Sequence, residues 1–160
     1  MSLSHAELER FAAGLAAAPE RWRHLVSAAG EGARVYAPVW SDEEVNAWVI
    51  CWSHDSDTGW HDHDESSGGI AVVSGRIREE RLVLGTDPWV RRLGAGETFT
   101  VPATAIHRVL HDGGGPAVTV HAYSPPLRRM GAYRVGAGGV LERESVPSET
   151  ELQPAQAAAA

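Results

Sequence analysis

The feature that most constrains the fold is an alternation of apolar and polar residues with a period of two, which begins near residue 33. Glycines and prolines interrupt this pattern at short intervals, and many short strands separated by such turns are typical of a β-sandwich or a β-barrel. We therefore predict an all-β fold. The predicted strands cover residues 34–39, 45–53, 70–73, 76–84, 98–101, 106–111, 118–123 and 132–135, with a short last strand over 140–142.

The regions on either side of the predicted barrel have different compositions. Ser4 and Glu7 have the spacing of a capping box, which predicts a helix that begins there, and Pro19 fits the first position of a second short helix that ends near Gly30. We expect residues 1–32 to form a helical cover packed on the barrel of residues 33–145, within one domain. Residues 146–160 are rich in Ser, Glu, Pro, Gln and Ala, and we predict a disordered tail there.

Composition excludes several classes of function. The formal net charge is −7 and all 14 basic residues are arginine, so no basic surface for nucleic acid is expected. A single cysteine excludes a framework of intramolecular disulfides, and no apolar run reaches the roughly 18–20 residues of a membrane helix. We expect a cytoplasmic protein without a signal peptide, with no nucleic-acid or membrane partner, that is a monomer or a small homo-oligomer.

The histidines suggest a metal site. His61 and His63 are separated by one residue, so in an extended segment both imidazoles lie on the same face. Imidazole binds iron, zinc, copper and nickel, and His107 follows a Gly- and Pro-containing turn from which it could supply a third ligand. A His-x-His pair on its own is often only part of a polar turn, and we interpret His5, His24 and His54 as surface or satisfied core histidines.

Two longer patterns resemble the cupin motifs. The segment from Trp60 to Gly75 is similar to G-x5-H-x-H-x3-4-E-x6-G, and the segment from Gly96 through His107 is similar to G-x5-P-x-G-x2-H-x3-N. Gly68 stands where most cupins have a glutamate ligand, and His111 replaces the final asparagine. Three histidines without the glutamate are the ligand set of the cysteine dioxygenase branch.

Further segments resemble that branch. Ile50-Cys51-Trp52 is similar to its hydrophobic-Cys-Trp strand, and residues 118–126 are similar to its S-x-H-x-Y-S-P-P motif. The resemblance implies that Thr119, His121 and Tyr123 form a hydrogen-bonded chain that reaches the metal, with threonine in place of the usual serine. On a strand these three residues share one face, which agrees with that role.

The resemblance also bears on two details of the site. It implies a cis peptide bond between Ser124 and Pro125. Animal members have a cysteine that is crosslinked to the catalytic tyrosine, but the matching position here is Gly68, so this chain cannot form that bond. We interpret Cys51, which lies on a predicted buried strand, as packing rather than as a reactive thiol.

The resemblance implies both a fold and an activity. The fold is a cupin-type β-barrel (a double-stranded β-helix, or jelly roll) with N-terminal helices packed on it. The activity is that of a non-haem Fe(II) dioxygenase that adds O2 to the thiol of a small amino or mercapto acid, with L-cysteine and its sulfinic acid as the leading substrate and product. The metal ligands would be His61, His63 and His107, while His111, which shares a strand face with His107, could support the ligands or take the place of His107 as the third one.

The carboxylate of such a substrate needs a cation, and arginine can bind one through two hydrogen bonds. Family members have an arginine on an early strand, where this chain has Arg34 and Tyr36, although in the reverse order of the animal enzymes. Arg128 and Arg129 are the rival candidates. Two alternative functions stay open: a non-redox, isomerase-like metal enzyme with the same site, and a non-enzymatic cupin that binds a ligand or a metal.

Overall fold

Two antiparallel β-sheets form the body of the computed structural model, which describes residues 2–26 and 34–148. Eleven strands are present in these residues. In chain order they are β1 (Val35–Ser41), β2 (Asn46–Trp52), β3 (His61–Asp62), β4 (Ser67–Ser74), β5 (Arg76–Arg81), β6 (Trp89–Gly94), β7 (Thr98–Val101), β8 (His107–His111), β9 (Ala117–Ser124), β10 (Arg129–Val135) and β11 (Leu141–Pro147).

The strand order shows how the sheets enclose an interior. One sheet has the order β1-β2-β9-β4-β7, and the other has the order β11-β10-β3-β8-β5-β6. Inward-facing side chains from both sheets form a common apolar core, which includes Ile50, Ile70, Ile77, Phe99 and Val109. The predicted all-β barrel is confirmed.

A helix covers the outer face of the five-stranded sheet. This helix, α1 (His5–Ala16), begins at a capping box between Ser4 and Glu7, as predicted. Its buried side chains pack on outward-facing residues of β2, β4 and β9. The contact is close enough that a Cβ atom on Gly69 would lie 2.6 Å from the backbone oxygen of Leu8, so glycine is needed at this position.

A 3₁₀ turn (Pro19–Arg21) and a short helix, α2 (Arg23–Val26), follow α1. The predicted end of the second helix, near Gly30, lies outside the described residues. None of the helices in residues 2–26 and 34–148 has the length and apolar character that crossing a bilayer requires.

Two observed strands were not predicted and several others differ in their bounds, with β4 beginning at Ser67 rather than at residue 70 and β10 at Arg129 rather than at residue 132. Strand β3 has two residues, too few for a recognisable period, and β6 was missed because Arg91 faces inward, where an apolar residue is expected. Strand β5 ends at Arg81 rather than at residue 84, and β11 extends to Pro147, past the predicted start of the disordered tail. Residues 149–160 of that tail lie outside the described residues.

Candidate active site

The structure brings the three predicted ligand histidines together inside the barrel. His61 belongs to β3 and pairs directly with His107, the first residue of β8, while His63 directly follows β3. One ligand nitrogen from each histidine can be chosen so that all three lie within 4.8 Å of one another. All three side chains are buried, with at most 2% of their surface exposed. Within the described residues, this group contains three imidazoles and no carboxylate.

Hydrogen bonds outside the cluster fix which ring nitrogens face into it. His61 Nδ1 lies 3.0 Å from the carbonyl oxygen of Gly59, which only accepts, so Nδ1 carries the proton and Nε2 is the atom available to a metal. In the same way, His107 Nδ1 donates to Glu79 Oε1 at 3.1 Å. The Nε2 atoms of His63 and His107 are 3.2 Å apart. His61 and His107 therefore each direct an Nε2 lone pair into the cluster, where His63 Nε2 also lies.

A buried carboxylate, Glu79, supports His107 from behind. Glu79 is fully buried and also forms ion pairs with Arg81 and Arg91. Burial raises the pKa of the Glu79 carboxyl, but its hydrogen bond to His107 and the neighbouring positive charges outweigh this, so the pKa stays well below its usual range. Burial and the neighbouring His61 lower the pKa of His107 against the opposing effect of Glu79. His107 is therefore a neutral imidazole held by an ionised carboxylate.

These residues fit a divalent transition metal. Two imidazole nitrogens bound at about 2.1 Å and at right angles to one ion lie roughly 3 Å apart, close to the 3.2 Å between His63 Nε2 and His107 Nε2. Three neutral nitrogen ligands suit iron, zinc, copper or nickel. Ligand histidines in metal sites typically donate their other N–H group to a carboxylate or carbonyl group, as His107 and His61 do here.

Next to this cluster, β9 presents the predicted chain of polar residues on its inner face. Thr119, His121 and Tyr123 are all buried, with at most 1% of their surface exposed. His121 Nδ1 lies 3.2 Å from the Tyr123 hydroxyl oxygen, and the Tyr123 ring centre is 4.8 Å from that of His63. The Trp52 indole N–H donates to Thr119 Oγ1 at 2.8 Å. The row therefore contains one hydrogen bond from Trp52 to Thr119 and one contact between His121 and Tyr123, while a continuous hydrogen-bonded chain through Thr119 to the histidine cluster stays a prediction.

Gly68 lies between Tyr123 and His63. It pairs with Tyr123 across β4 and β9, and a Cβ atom built on it would lie 3.4 Å from Tyr123 Cε1 and 3.5 Å from His63 Cε1. These are ordinary van der Waals distances, so a side chain at position 68 would point toward the imidazole cluster without a backbone clash. The position at which most cupins have a glutamate ligand is therefore next to the cluster and carries no side chain.

The candidate carboxylate-binding residues differ in their exposure. Arg34 is buried, its Nη1 donates to the backbone oxygen of Asp57 at 3.3 Å, and its guanidinium lies 5.6 Å from the Trp52 ring centre. Tyr36 packs partly buried against the barrel core. Arg128 and Arg129 are exposed on the protein surface. The role of Arg34 and Tyr36 in substrate binding stays a prediction.

The remaining histidines and the cysteine lie outside the cluster. His111 is partly exposed and its Nε2 is 3.0 Å from the carbonyl oxygen of Gly115, so it is not part of the metal-binding group. His5, His24 and His54 are exposed, as interpreted from the sequence.

The Cys51 thiol is half-buried and burial raises its pKa, which agrees with a packing role. The predicted cis peptide bond between Ser124 and Pro125 is present.

Sequence reasoning missed two acidic residues that support the cluster. Glu79 shares the inner face of β5 with the core residue Ile77, and Asp62 lies between the two histidines of the pair. A signal existed for both residues, because an acidic residue at a buried strand position must be paired. The sequence does not show which residues pair with them.

Comparisons with known proteins agree with this description. A family model described as cysteine dioxygenase type I matches residues 7–135. No curated protein matches the chain.

Several solved structures share the fold. The protein TT1209 from Thermus thermophilus is 19% identical, with a TM-score of 0.52 over 65% of this chain and 93% of that one. KdgF from Halomonas sp. is 20% identical, with a TM-score of 0.51 over 61% of this chain and 83% of that one. A cupin superfamily protein from Desulfitobacterium hafniense is 14% identical, with a TM-score of 0.50 over 60% of this chain and 81% of that one. These similarities confirm the cupin fold.

Proposed function

Because this chain belongs to the cysteine dioxygenase type I family, we propose that it is a non-haem Fe(II) thiol dioxygenase with a small amino or mercapto acid as its substrate. L-Cysteine, which would give cysteine sulfinic acid, is the leading candidate. The observation that carries the proposal is the cluster of three buried imidazoles without a carboxylate, next to the row of Thr119, His121 and Tyr123.

The charge of the cluster supports an anionic substrate. Three neutral ligands leave both positive charges of a ferrous ion uncompensated, and the ion would supply a site at which a thiolate and O2 react. A thiol of pKa about 8.5 is mostly protonated at neutral pH, and such a centre favours its deprotonation. The reaction RSH + O2 → RSO2H places both oxygen atoms on sulfur, which loses the four electrons that O2 gains. No external reductant is required.

Besides the metal ion, Tyr123 is the proposed catalytic group. Its hydroxyl is a hydrogen-bond donor in a buried space beside His63, and His121 lies within hydrogen-bonding distance of that hydroxyl. Thr119, which accepts a hydrogen bond from Trp52, extends the row away from the metal ligands. We infer that His121 and Thr119 orient the hydroxyl of Tyr123 toward the reacting groups.

Arg34 is the proposed partner of the substrate carboxylate. It is buried beside Trp52, whose ring centre lies 6.1 Å from that of His121, whereas Arg128 and Arg129 face solvent. A buried guanidinium binds a carboxylate more strongly than an exposed one because water competes less. Tyr36, on the neighbouring strand β1, would contribute a hydroxyl to the same substrate.

The proposal is tested by anaerobic reconstitution with Fe(II) followed by measurement of oxygen uptake. Cysteine, 3-mercaptopropionate and mercaptosuccinate have a carboxylate, whereas cysteamine does not. We expect O2 consumption with at least one of the carboxylate thiols and formation of the corresponding sulfinate in equal amounts, with cysteamine turned over poorly. Absence of O2 uptake with all four thiols, by protein that holds stoichiometric iron, would refute thiol dioxygenation.

Replacement of Tyr123 by phenylalanine tests its catalytic role. Tyr123→Phe removes one hydroxyl and keeps the ring that packs on His63, so we expect iron binding to be unchanged. Loss of a positioned proton donor should lower kcat by about 10- to 100-fold. Iron content and steady-state oxygen uptake measure the two effects, and wild-type kcat in this variant would remove Tyr123 from the mechanism.

A further inference from the structure

The segment that carries two of the three metal ligands pairs with its neighbouring strands over a short length only. Strand β3 consists of His61 and Asp62 only. It pairs with β8 at a single position, His61 with His107, and with β10 at two positions. Short ladders of this kind hold a strand weakly compared with strands of ordinary length. Two further backbone hydrogen bonds flank the pair, from Tyr133 N to Trp60 O (2.8 Å) and from Ser66 N to His63 O (2.9 Å), and side-chain contacts add to this support.

The side chain of Asp62 supplies those contacts. It lies between the two histidines in sequence, and alternation along the strand directs it away from the metal cluster. Its carboxylate accepts five hydrogen bonds, and 7% of the residue is exposed. The donors are Gly131 N (3.1 Å), Asp64 N (2.9 Å), the Tyr133 hydroxyl (2.6 Å), and Arg143 Nε (2.7 Å) and Nη2 (2.9 Å).

One of these donors, Asp64 N, belongs to the residue that directly follows the ligand His63. The bond from Asp64 N closes a turn that spans His63, the residue between acceptor and donor. Asp64 has φ +55° at this turn, and Arg143 also donates to its carboxylate at 3.0 Å. The backbone of His63 is thus held on both sides by residues that contact Arg143.

The surroundings of the Asp62 carboxylate stabilise its negative charge. Burial raises the pKa of Asp62, but hydrogen bonds from Arg143 and Tyr133 outweigh it and keep the pKa well below its usual range. There is no space for another side chain, because a Cβ atom on Gly131 would overlap Arg143 Nε and lie 2.6 Å from Asp62 Oδ2. The ion pair uses two parallel hydrogen bonds, which fix direction as well as distance.

We propose that Arg143 and Tyr133, on the β10–β11 hairpin, are positioning residues of the metal centre that act through Asp62 on His61 and His63. Arg143 lies beyond residues 7–135, so the family match does not cover it. The inference rests on the proposed function only in that a divalent metal binds the three imidazoles, and it does not depend on the reaction. Its consequence is that a strand remote from the cluster sets the metal affinity.

The test measures Co2+ binding to the metal-free full-length chain, because Co2+ absorption bands report the geometry of the ligands. Arg143→Met is the main variant. Its matched control is Arg134→Met, which removes another arginine of the hairpin together with its cross-strand ion pair to Glu142 and leaves the bonds to Asp62 in place. Arg143→Lys keeps the charge, and Tyr133→Phe removes a single hydrogen bond to Asp62.

We expect Arg143→Met to bind Co2+ about 10- to 100-fold more weakly than the wild type and to have a shifted absorption spectrum. Arg143→Lys should recover part of the affinity, Tyr133→Phe should lose about 3- to 10-fold, and Arg134→Met should match the wild type. A lower melting temperature in Arg143→Met with unchanged affinity and spectrum would overturn the proposal, since it would show a structural role only.

Two further outcomes have defined meanings. If Arg143→Met does not fold, Tyr133→Phe decides, with weaker Co2+ binding in support and wild-type binding against. If the wild-type chain binds no Co2+, the metal centre and this inference both fail, whereas equal affinities of the wild type and Arg143→Met overturn the inference alone.

Discussion

Replacement of His63 by alanine is expected to remove bound metal and all thiol-dependent oxygen uptake. His63 is fully buried, and its Nε2 lies 3.2 Å from that of His107. The variant keeps only two of the three imidazoles. Loss of a hydrogen-bond partner of a ligand lowers metal affinity by up to roughly 100-fold, and loss of a ligand itself should lower it further. Metal content after reconstitution and dialysis, together with oxygen uptake, measures the result.

The matched control for this variant is His111→Ala. His111 is also a histidine on β8, the strand that carries the ligand His107, but its Nε2 contacts the carbonyl oxygen of Gly115 instead. We expect wild-type metal content in His111→Ala and a circular dichroism spectrum typical of the folded barrel in both variants. Stoichiometric metal in folded His63→Ala protein would show that the three imidazoles are not the metal site.

The parts of this site that can be predicted from the sequence are those that depend on residues close together in the chain. His61 and His63 share a face because strand alternation is a local property, and the same reasoning applies to Thr119, His121 and Tyr123. The third ligand is different, because the pairing of His61 with His107 joins positions that are far apart in the chain. Only the resemblance to the cupin motifs indicated that pairing in advance.

The residues that sequence reasoning missed depend on distant partners. Glu79 is paired with His107, 28 positions away, and Asp62 with Arg143, 81 positions away. Alternation predicts that a carboxylate on the inner face of β5 is buried, and burial requires a partner, but many arginines in the chain could fill that role. Strand β6 was missed for a related reason, since Arg91 faces inward because Glu79 is there to pair with it.

We expect thiol oxidation by this protein to depend on the absence of a carboxylate at position 68. A glutamate side chain there would start 3.5 Å from His63 Cε1 and extend toward the cluster. Its negative charge would offset part of the metal's charge and compete with a thiolate for a coordination position. We expect Gly68→Glu to bind metal at least as tightly as the wild type, while thiol oxidation falls by about 100-fold, similar to the loss of one positioned electrostatic interaction in a water-excluded active site.

Two variants isolate the effect of charge from that of volume. Gly68→Gln adds a side chain of the same size without the charge, and Gly68→Ala adds only the Cβ atom, which meets Tyr123 and His63 at ordinary contact distances. We expect Gly68→Ala to keep most of the activity and Gly68→Gln to be intermediate. Equal rates of thiol oxidation in Gly68→Glu and Gly68→Gln would show that the added charge has no effect. The neutral ligand set would then not explain why this centre binds a thiolate. The non-redox alternative would then gain support if Gly68→Glu also kept a metal-dependent, oxygen-independent activity.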